Sequence, residues 1–272
     1  GKGAISVGTE FTSSRIRGEY ANAEQYVDAS NTKIEERNIA GFAEYGFKFG
    51  DFSVNAGVRY ENVKSDYYLF GQWQAEPSRR YSDWFPSASM SWNSGKRGLQ
   101  LAYACKTQRP SYNSLRDEVQ YDNRYTYEGG NPYLRPCIIN NVDFNAVYDW
   151  LSFNAGYNYI DNPMVWVATL YQGKDIVFLR NINFNHSQDI YASIVASPRF
   201  GWYNPMAEID YSQSFLHTDG FDINKPSNRP CFNFRLNNRF NITRSLKAFL
   251  NMRYKTSQLN DLQYTKPFAR VD

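Results

Sequence analysis

Apolar and polar side chains alternate along most of this chain, and this pattern restricts it to β-structure. Between Ile39 and Phe49 every second residue is apolar or small, whereas Asn38, Glu44 and Lys48 lie on the other face. A period of two places successive side chains on opposite faces of a sheet. The same period recurs in later segments, namely 52–61, 84–92, 99–108, 142–149, 151–159, 190–196, 207–212, 232–237 and 246–254. We therefore predict an all-β fold.

The connections between these segments alternate in length. Short turns are predicted at 50–51, 93–98, 149–151, 201–204 and 241–245, and long polar segments at 64–80, 109–140, 161–188 and 217–228. Within the third long segment, Val165–Leu170 and Ile176–Ile182 resemble a further hairpin. Short turns at one end and long loops at the other are typical of an antiparallel up-and-down transmembrane β-barrel. The pattern provides about 12 to 14 strands.

Aromatic residues, which make up 17% of the chain, gather at the ends of the predicted strands. One group lies beside the short turns and consists of Phe47, Phe49, Phe52, Trp92, Trp150, Trp202 and Phe240. A second group lies near the long loops and consists of Tyr60, Trp84, Tyr103, Tyr159 and Phe215. Two belts of amphipathic rings are expected where a barrel meets the two membrane interfaces.

The faces opposite the apolar stripes carry charged and amide side chains. They include Arg59, Glu61, Lys106, Gln108, Glu208, Asp210, Arg235, Arg239 and Arg253. In a barrel these residues line a wet or plugged interior, whereas in a soluble β-sandwich they would form the solvated outer faces. The apolar stripes are therefore expected to contact lipid if the chain forms a barrel, and to pack against another sheet if it forms a sandwich.

Composition argues against several other functions. The net charge is only +3 and no basic run occurs, so nucleic acid is not an expected partner. Cys105, Cys137 and Cys231 are far apart, and neither His186 nor His217 has a nucleophile or metal ligand at a recognisable spacing. We expect no catalytic residues, no metal site and no cofactor. No apolar run is long enough for a transmembrane helix.

The segment from Lys106 to Pro136 carries short motifs in a characteristic order. Within this segment, Arg109-Pro110-Ser111-Tyr112 is followed by Leu115 and then by Gly130-Asn131-Pro132 with Leu134 and Pro136. Two further motifs lie upstream of it, namely Phe42-Ala43-Glu44-Tyr45 and Ala56-Gly57-Val58-Arg59-Tyr60-Glu61. This order of motifs resembles the barrel region of TonB-dependent outer-membrane receptors, and the similarity runs over most of the chain, roughly from Ile39 to Tyr211. The resemblance is to the outer-membrane β-barrel family related to the SusC-like transporters.

This resemblance implies a barrel of about 22 strands filled by a plug domain. Such receptors import large, scarce solutes with energy passed from an inner-membrane complex. Residues 1–272 show no plug domain, so we expect a partial barrel cut from a longer receptor of the bacterial outer membrane. The implied partners are outer-membrane lipid, the plug domain and TonB system of the parent receptor, an extracellular solute and, as a candidate, a surface lipoprotein.

Aromatic side chains in the long segments are candidates for contacting the solute, because a ring offers apolar area with a polar tip. These candidates are Tyr67, Tyr68, Phe70, Trp73, Tyr121, Tyr125, Tyr127 and Trp166. The alternative is that they pack the loops against one another. For Arg109, Pro110 and Gly130-Asn131-Pro132 we predict a structural role, since Pro fixes φ and Gly-Asn-Pro is a turn signal.

Three functions fit the sequence. The first is a fragment of a TonB-dependent receptor that takes up a glycan, a peptide or a metal chelate without doing chemistry on it. The second is a passive porin-like channel. The third is a secreted glycan-binding β-sandwich, in which the face bearing Leu246, Leu250 and Tyr254 would pack on a second sheet.

Overall fold

The structure is a computed structural model that describes residues 1–21, 27–217, 229–260 and 263–272. These residues form strands with a single short 3-10 helix at Tyr112–Leu115. The strands are β1 Lys2–Tyr20, β2 Ser30–Phe49, β3 Phe52–Leu69, β4 Gln72–Ser94, β5 Arg97–Gln108, β6 Val119–Asn123, β7 Thr126–Gly129, β8 Cys137–Tyr148, β9 Leu151–Asp161, β10 Met164–Leu170, β11 Val177–Asn183, β12 His186–Ala196, β13 Tyr203–Leu216, β14 Cys231–Asn241, β15 Lys247–Lys255, β16 Gln258–Asn260, β17 Gln263–Thr265 and β18 Phe268–Val271.

Twelve of these strands form one antiparallel sheet in the order β1-β2-β3-β4-β5-β8-β9-β12-β13-β14-β15-β18. Each strand pairs with the next main-sheet strand along the chain, so the topology is up-and-down. The predicted fold and the lower end of the predicted strand number are confirmed. The shorter strands form a four-stranded sheet, β10-β11-β7-β6, and the two-stranded pair β16-β17.

The two faces of the large sheet differ in the way that the alternation predicts. The predicted apolar stripes point outward, and their large side chains are exposed, for example Ile39, Phe52 and Trp84. The stripes are not covered by a second sheet: Leu246, Leu250 and Tyr254 are 54%, 36% and 47% exposed. A water-soluble sandwich would bury these side chains. The observed architecture therefore excludes the β-sandwich and leaves an apolar surface suited to lipid.

The short turns lie where they are predicted. Gly50 and Asp51 join β2 to β3, and Gly50 has a φ of +56°, which glycine adopts without strain. Gly201 and Trp202 join the bridged residues Phe200 and Tyr203. Tight turns at this end keep neighbouring strands in register down to their last residues.

The prediction of a long polar loop at 64–80 is wrong. Strands β3 and β4 continue through this segment and meet in a two-residue turn, Phe70-Gly71, flanked by the pair Leu69 and Gln72. Both turn residues have positive φ, +47° and +78°, as a type I′ hairpin requires. The hairpin extends beyond the belt of aromatic rings near the long loops. Both of its faces there mix polar and aromatic residues, so no regular apolar stripe marks the segment as strand.

The long segments at 109–140 and 161–188 fold into the four-stranded sheet, here called the loop sheet. The hairpin predicted from Val165–Leu170 and Ile176–Ile182 is confirmed as β10 and β11. Strand β11 also pairs in parallel with β7, which belongs to the other segment, through Val177 and Thr126. The connection predicted at 217–228 lies almost entirely outside the described residues. Two long segments thus build one structure at the same end of the large sheet.

One face of the loop sheet buries two small apolar clusters. The first contains Val27, Tyr127, Tyr171 and Phe178, and the second contains Val165, Val167 and Phe184. Val27 comes from the connection between β1 and β2, so three separate connections pack together. This apolar packing holds the loop sheet in place.

Within the described ranges, no helix is long and apolar enough to cross a membrane.

Candidate functional site

The inner face of the large sheet carries linked charges rather than isolated ones. Arg59 on β3 donates to Glu10 Oε2 at 2.7 Å and to Glu61 Oε1 at 2.5 Å. Glu61 also accepts from Arg109, the first residue of the Arg-Pro-Ser-Tyr motif. Glu61 is 7% exposed, and its two arginine partners compensate the cost of burying a carboxylate. This network ties the loop after β5 to the wall of the sheet.

A second polar network joins β8, β9 and β12 on the same face. The Tyr191 hydroxyl donates to Asp143 at 2.5 Å and accepts from Asn141 Nδ2 at 3.2 Å. Asn141 also donates to Asn158 Oδ1 at 2.8 Å. These bonds run across three strands, so they fix the orientation of polar groups that line the interior.

A third network lies on β12, β13 and β14. Asp210 accepts from Ser193 at 2.8 Å and from Asn233 at 2.6 Å. Arg235 lies 3.4 Å from Asp210 and 3.2 Å from Glu208. The three networks confirm that the polar stripes, including Arg59, Glu61, Glu208, Asp210 and Arg235, face inward. The interior is therefore hydrophilic and suited to water or a polar solute.

The loop carrying the resembling motifs packs against the inner face of the extended β2–β4 wall. Asn131 N donates to Ser114 O at 2.6 Å, and Asn131 Nδ2 donates to Asn181 O on β11 at 3.0 Å. Pro132 O accepts from Arg79 at 2.8 Å. Leu134 is fully buried. These contacts support the structural role predicted for Arg109 and the Gly130-Asn131-Pro132 turn.

The predicted aromatic candidates separate into two groups. Tyr67, Tyr68, Phe70 and Trp73 lie at the tip of the β3–β4 hairpin, where Tyr68 and Trp73 are cross-strand neighbours. Tyr67 points inward and is 3% exposed, so packing accounts for it. Tyr68 lies under the Lys33 ammonium group at 3.8 Å, whereas Phe70 and Trp73 are exposed. The hairpin tip therefore offers two free rings to a solute.

The second group, Tyr121, Tyr125, Tyr127 and Trp166, belongs to the loop sheet. Tyr127 is buried against Tyr171, with ring centroids 4.9 Å apart, so it too packs the loops. Tyr121 contacts the Tyr127 ring and keeps an exposed edge, and Tyr125 is exposed beside Arg124. Trp166 lines a cleft.

The cleft beside Trp166 has a volume of about 170 Å³ and lies on the loop-sheet face opposite the apolar clusters. Its lining residues include Arg116, Glu118, Gln120, Glu128 and Asn181. Arg116 and Glu118 pair at 3.0 Å. Hydrogen-bond donors, acceptors and one aromatic ring therefore line the same cleft. Sequence reasoning missed these polar residues because the alternation in β6 and β7 covers too few residues to show which face they share.

Burial affects ionisable groups in the loops. It raises the pKa of Asp117 above the ordinary 3.8, and the nearby Asp28 carboxylate raises it further. Burial also raises the pKa of Tyr171 above 10.0, with a smaller contribution from Asp28. Both shifts follow from the removal of water around the charged form. Among the residues that the structure describes, no group of His, Cys, Asp or Glu side chains could hold a metal ion.

The sequence model of the outer membrane protein beta-barrel family matches residues 3–272. This chain belongs to that family. The localisation in the bacterial outer membrane that the family resemblance implied is thereby confirmed. No curated protein sequence matches this member of the family.

Solved structures show the same fold in this family member and in several transporters. The copper transporter OprC superposes with a TM-score of 0.68 at 13% identity, over 99% of this chain and 46% of OprC. The ferric-catecholate import receptor Fiu from E. coli K12 gives 0.62 at 12% identity, over 99% of this chain and 44% of Fiu. The FrpB iron transporter from Neisseria meningitidis gives 0.57 at 15% identity, over 87% of this chain and 37% of FrpB.

This member of the outer-membrane barrel family therefore spans less than half the length of each of these transporters. The predicted resemblance to outer-membrane receptor barrels is confirmed at the level of the fold. The closer relation to SusC-like transporters stays a prediction.

Proposed function

We propose that this chain forms part of the wall and the outer cap of a receptor that takes up a large or scarce solute across the outer membrane. The solute would be a glycan, a peptide or a metal chelate. The shared fold with proteins described as a copper transporter, a ferric-catecholate import receptor and an iron transporter supports this proposal.

The loop sheet is the observation that carries the proposal. Segments from three connections are packed together at the long-loop end, above an inner face lined with charges. A passive channel needs an open mouth, whereas a receptor needs an ordered outer surface that binds its solute before passage. Two apolar clusters and a parallel strand pair give these loops the order that a binding surface requires.

The proposal extends to partners and domains. Residues 1–272 would be one part of a barrel of about 22 strands, and the rest of the receptor would supply the remaining wall and a plug. Energy would come from a TonB system acting on that plug. A surface lipoprotein would be a further partner at the loop end. The solute would pass without covalent change, so the chain would not act as an enzyme.

Within this receptor, the exposed loop aromatics would contact the solute. Trp166 has the strongest case because polar groups surround it in a cleft. Tyr68, Phe70, Trp73, Tyr121 and Tyr125 would add contacts around the mouth. We assign Tyr67 and Tyr127 to packing because both are buried.

Accumulation of labelled probes in cells that express the receptor tests the proposal. Three probes represent the three classes: an oligosaccharide, an oligopeptide and a ferric catecholate. We expect one class to accumulate, and an uncoupler of the proton-motive force to abolish the accumulation. Removal of the Trp166 ring in W166A should weaken binding of that probe roughly tenfold. The control W202A removes an exposed ring at the opposite end and should leave binding unchanged.

Two results would contradict the proposal. Uncoupler-insensitive entry of all three probes, together with steady conductance in a planar bilayer, would identify a passive channel. If W166A and W202A weakened probe binding equally, the cleft beside Trp166 would not be part of the binding site.

A further inference from the structure

Three basic residues occupy directly opposed positions on the outward face of β2, β3 and β4. Arg37 pairs in register with Lys64, and Lys64 pairs with Arg80. Successive outward positions are two residues apart along a strand, so all three side chains point away from the interior. We call these three residues the basic row.

The basic row begins where the lipid-facing surface ends. Below the basic row, β3 and β4 carry the outward aromatic pair Tyr60 and Trp84, whose ring centroids are 4.8 Å apart. Lys64 and Arg80 lie four residues beyond that pair, about 13 Å along a strand and, at a tilt of about 45°, roughly 9 Å higher. Rings of this kind lie at headgroup level. The basic row therefore stands above the rings, at the water-facing side of the polar headgroups of the outer leaflet.

Like charges at directly opposed positions of a sheet destabilise it unless an anion compensates them. Lys64 has such a partner in Asp66, at 2.6 Å. Arg37 and Arg80 are exposed and form no ion pair or hydrogen bond with any residue that the structure describes. Two guanidinium groups are thus free to bind an anion from outside the protein. Arginine suits phosphate because its planar fork can donate two parallel hydrogen bonds.

The basic row is a local feature of the barrel surface. At the same ends of β8, β9 and β12, the outward positions carry Ile138, Asp161 and His186, which are neighbours in register. A general preference for basic residues near the membrane would have placed lysine or arginine there as well. The charge is concentrated on one side of the surface, beside the exposed stripe that ends at Ile39.

We propose that Arg37, Lys64 and Arg80 bind the headgroup phosphates of an anionic lipid in the outer leaflet, with the acyl chains lying on the adjoining apolar stripe. Charge complementarity and continuity with the lipid-facing surface both favour this occupant. The inference depends on the barrel lying in the membrane and not on which solute it takes up. The proposal of solute uptake and the proposal of lipid binding can therefore be refuted independently of each other.

Titration of the detergent-purified receptor with fluorescently labelled diphosphorylated lipid A tests the proposal. The variant R37Q/K64Q/R80Q removes the basic row. Each basic group near an anionic surface contributes about 1 kcal/mol, so affinity should fall about 100-fold. High salt should weaken binding to the unmodified protein, because exposed charges are screened. The variant R37K/R80K keeps the charges but loses the planar forks, so its affinity should lie between those of the unmodified protein and R37Q/K64Q/R80Q.

The matched control K96Q/R199Q/R244Q removes three exposed basic residues at the short-turn end. It should bind the lipid as the unmodified protein does. A loss in the control equal to that in the test variant would overturn the proposal. Equal affinity for lipid A stripped of its phosphates would overturn it too, as would binding of inorganic phosphate as tight as that of the lipid. Circular dichroism and heat-dependent mobility on gels verify that each variant is folded.

Discussion

The turn at Gly130 allows a quantitative test of how the outer loop is held. A Cβ atom added at Gly130 would lie 2.2 Å from Arg116 O, 2.9 Å from Arg116 N and 3.0 Å from Arg116 C. Ordinary contacts between such atoms begin near 3.4 Å. All three neighbours are backbone atoms, so no flexible side chain can move aside. The substitution G130A therefore requires one of the two backbone segments to shift by about 1 Å.

The cost of this shift follows from the bonds around the turn. Overpacking a tight contact costs about 1–3 kcal/mol, and a shift away from Arg116 also weakens the 2.6 Å bond from Asn131 N to Ser114 O, worth about 1 kcal/mol. We expect G130A to lower the free energy of local opening of the loop by about 2–4 kcal/mol. Amide exchange in residues 111–136 should accelerate roughly 30-fold to 1000-fold. The large sheet should exchange at its usual rate.

The substitution G41A provides the control. At Gly41 the nearest atom to an added Cβ would be Gly8 O at 4.0 Å, so an alanine fits without movement. Hydrogen exchange followed by mass spectrometry compares the two variants peptide by peptide. If G130A leaves exchange in 111–136 unchanged, or if G41A accelerates it equally, the steric account of this turn is refuted.

Three further outcomes are expected. Replacement of the buried Glu61 by Ala removes the carboxylate that pairs with Arg109 and leaves Arg59 with Glu10 alone. Because both guanidinium groups are partly solvated, we expect a loss of about 2 kcal/mol in urea unfolding and no further loss on adding R109A, whereas independent losses would contradict the network. V167A removes two methyl groups from a site that is 1% exposed and should destabilise the loop sheet by about 2 kcal/mol, seen as faster exchange in β10 and β11 only. Burial raises the pKa of Asp117, so the contribution of this carboxyl group to loop stability is fully present below its unfolded pKa near 3.8 and is lost as pH rises through the higher folded pKa. The variant D117N should flatten this part of the dependence of loop stability on pH. An unchanged dependence would refute the assignment to Asp117.

The alternation of side chains determined the main sheet because a barrel strand contacts two different environments. Outward positions from Phe52 to Tyr60 meet lipid and inward positions such as Arg59 meet the polar interior, so each face leaves its own chemical signal in the sequence. Tight turns such as Gly50-Asp51 were predictable for a similar reason, since only a few residue types suit their geometry.

The same reasoning failed at residues 64–80 because that signal ends at the membrane surface. Beyond Tyr60 and Trp84 each face of the β3–β4 hairpin mixes polar and aromatic residues, and alternation no longer distinguishes strand from loop. The hairpin became visible only once the type I′ turn at Phe70-Gly71 and the pairing of Leu69 with Gln72 were known.

For the candidate site, the sequence indicated that aromatic residues lie in the loops but not what each ring contacts. Tyr67 and Tyr127 are as aromatic and as loop-placed as Trp166, yet two are buried and one lines a cleft. For the two rings of the loop sheet, Tyr127 and Trp166, that difference depends on the parallel pairing of β11 with β7, which joins residues about 50 positions apart. A local pattern cannot encode such a contact, because its energy comes from packing between segments that are distant in the chain. The sequence alone therefore determined the barrel wall, and only the tertiary structure decided how its outer end is capped.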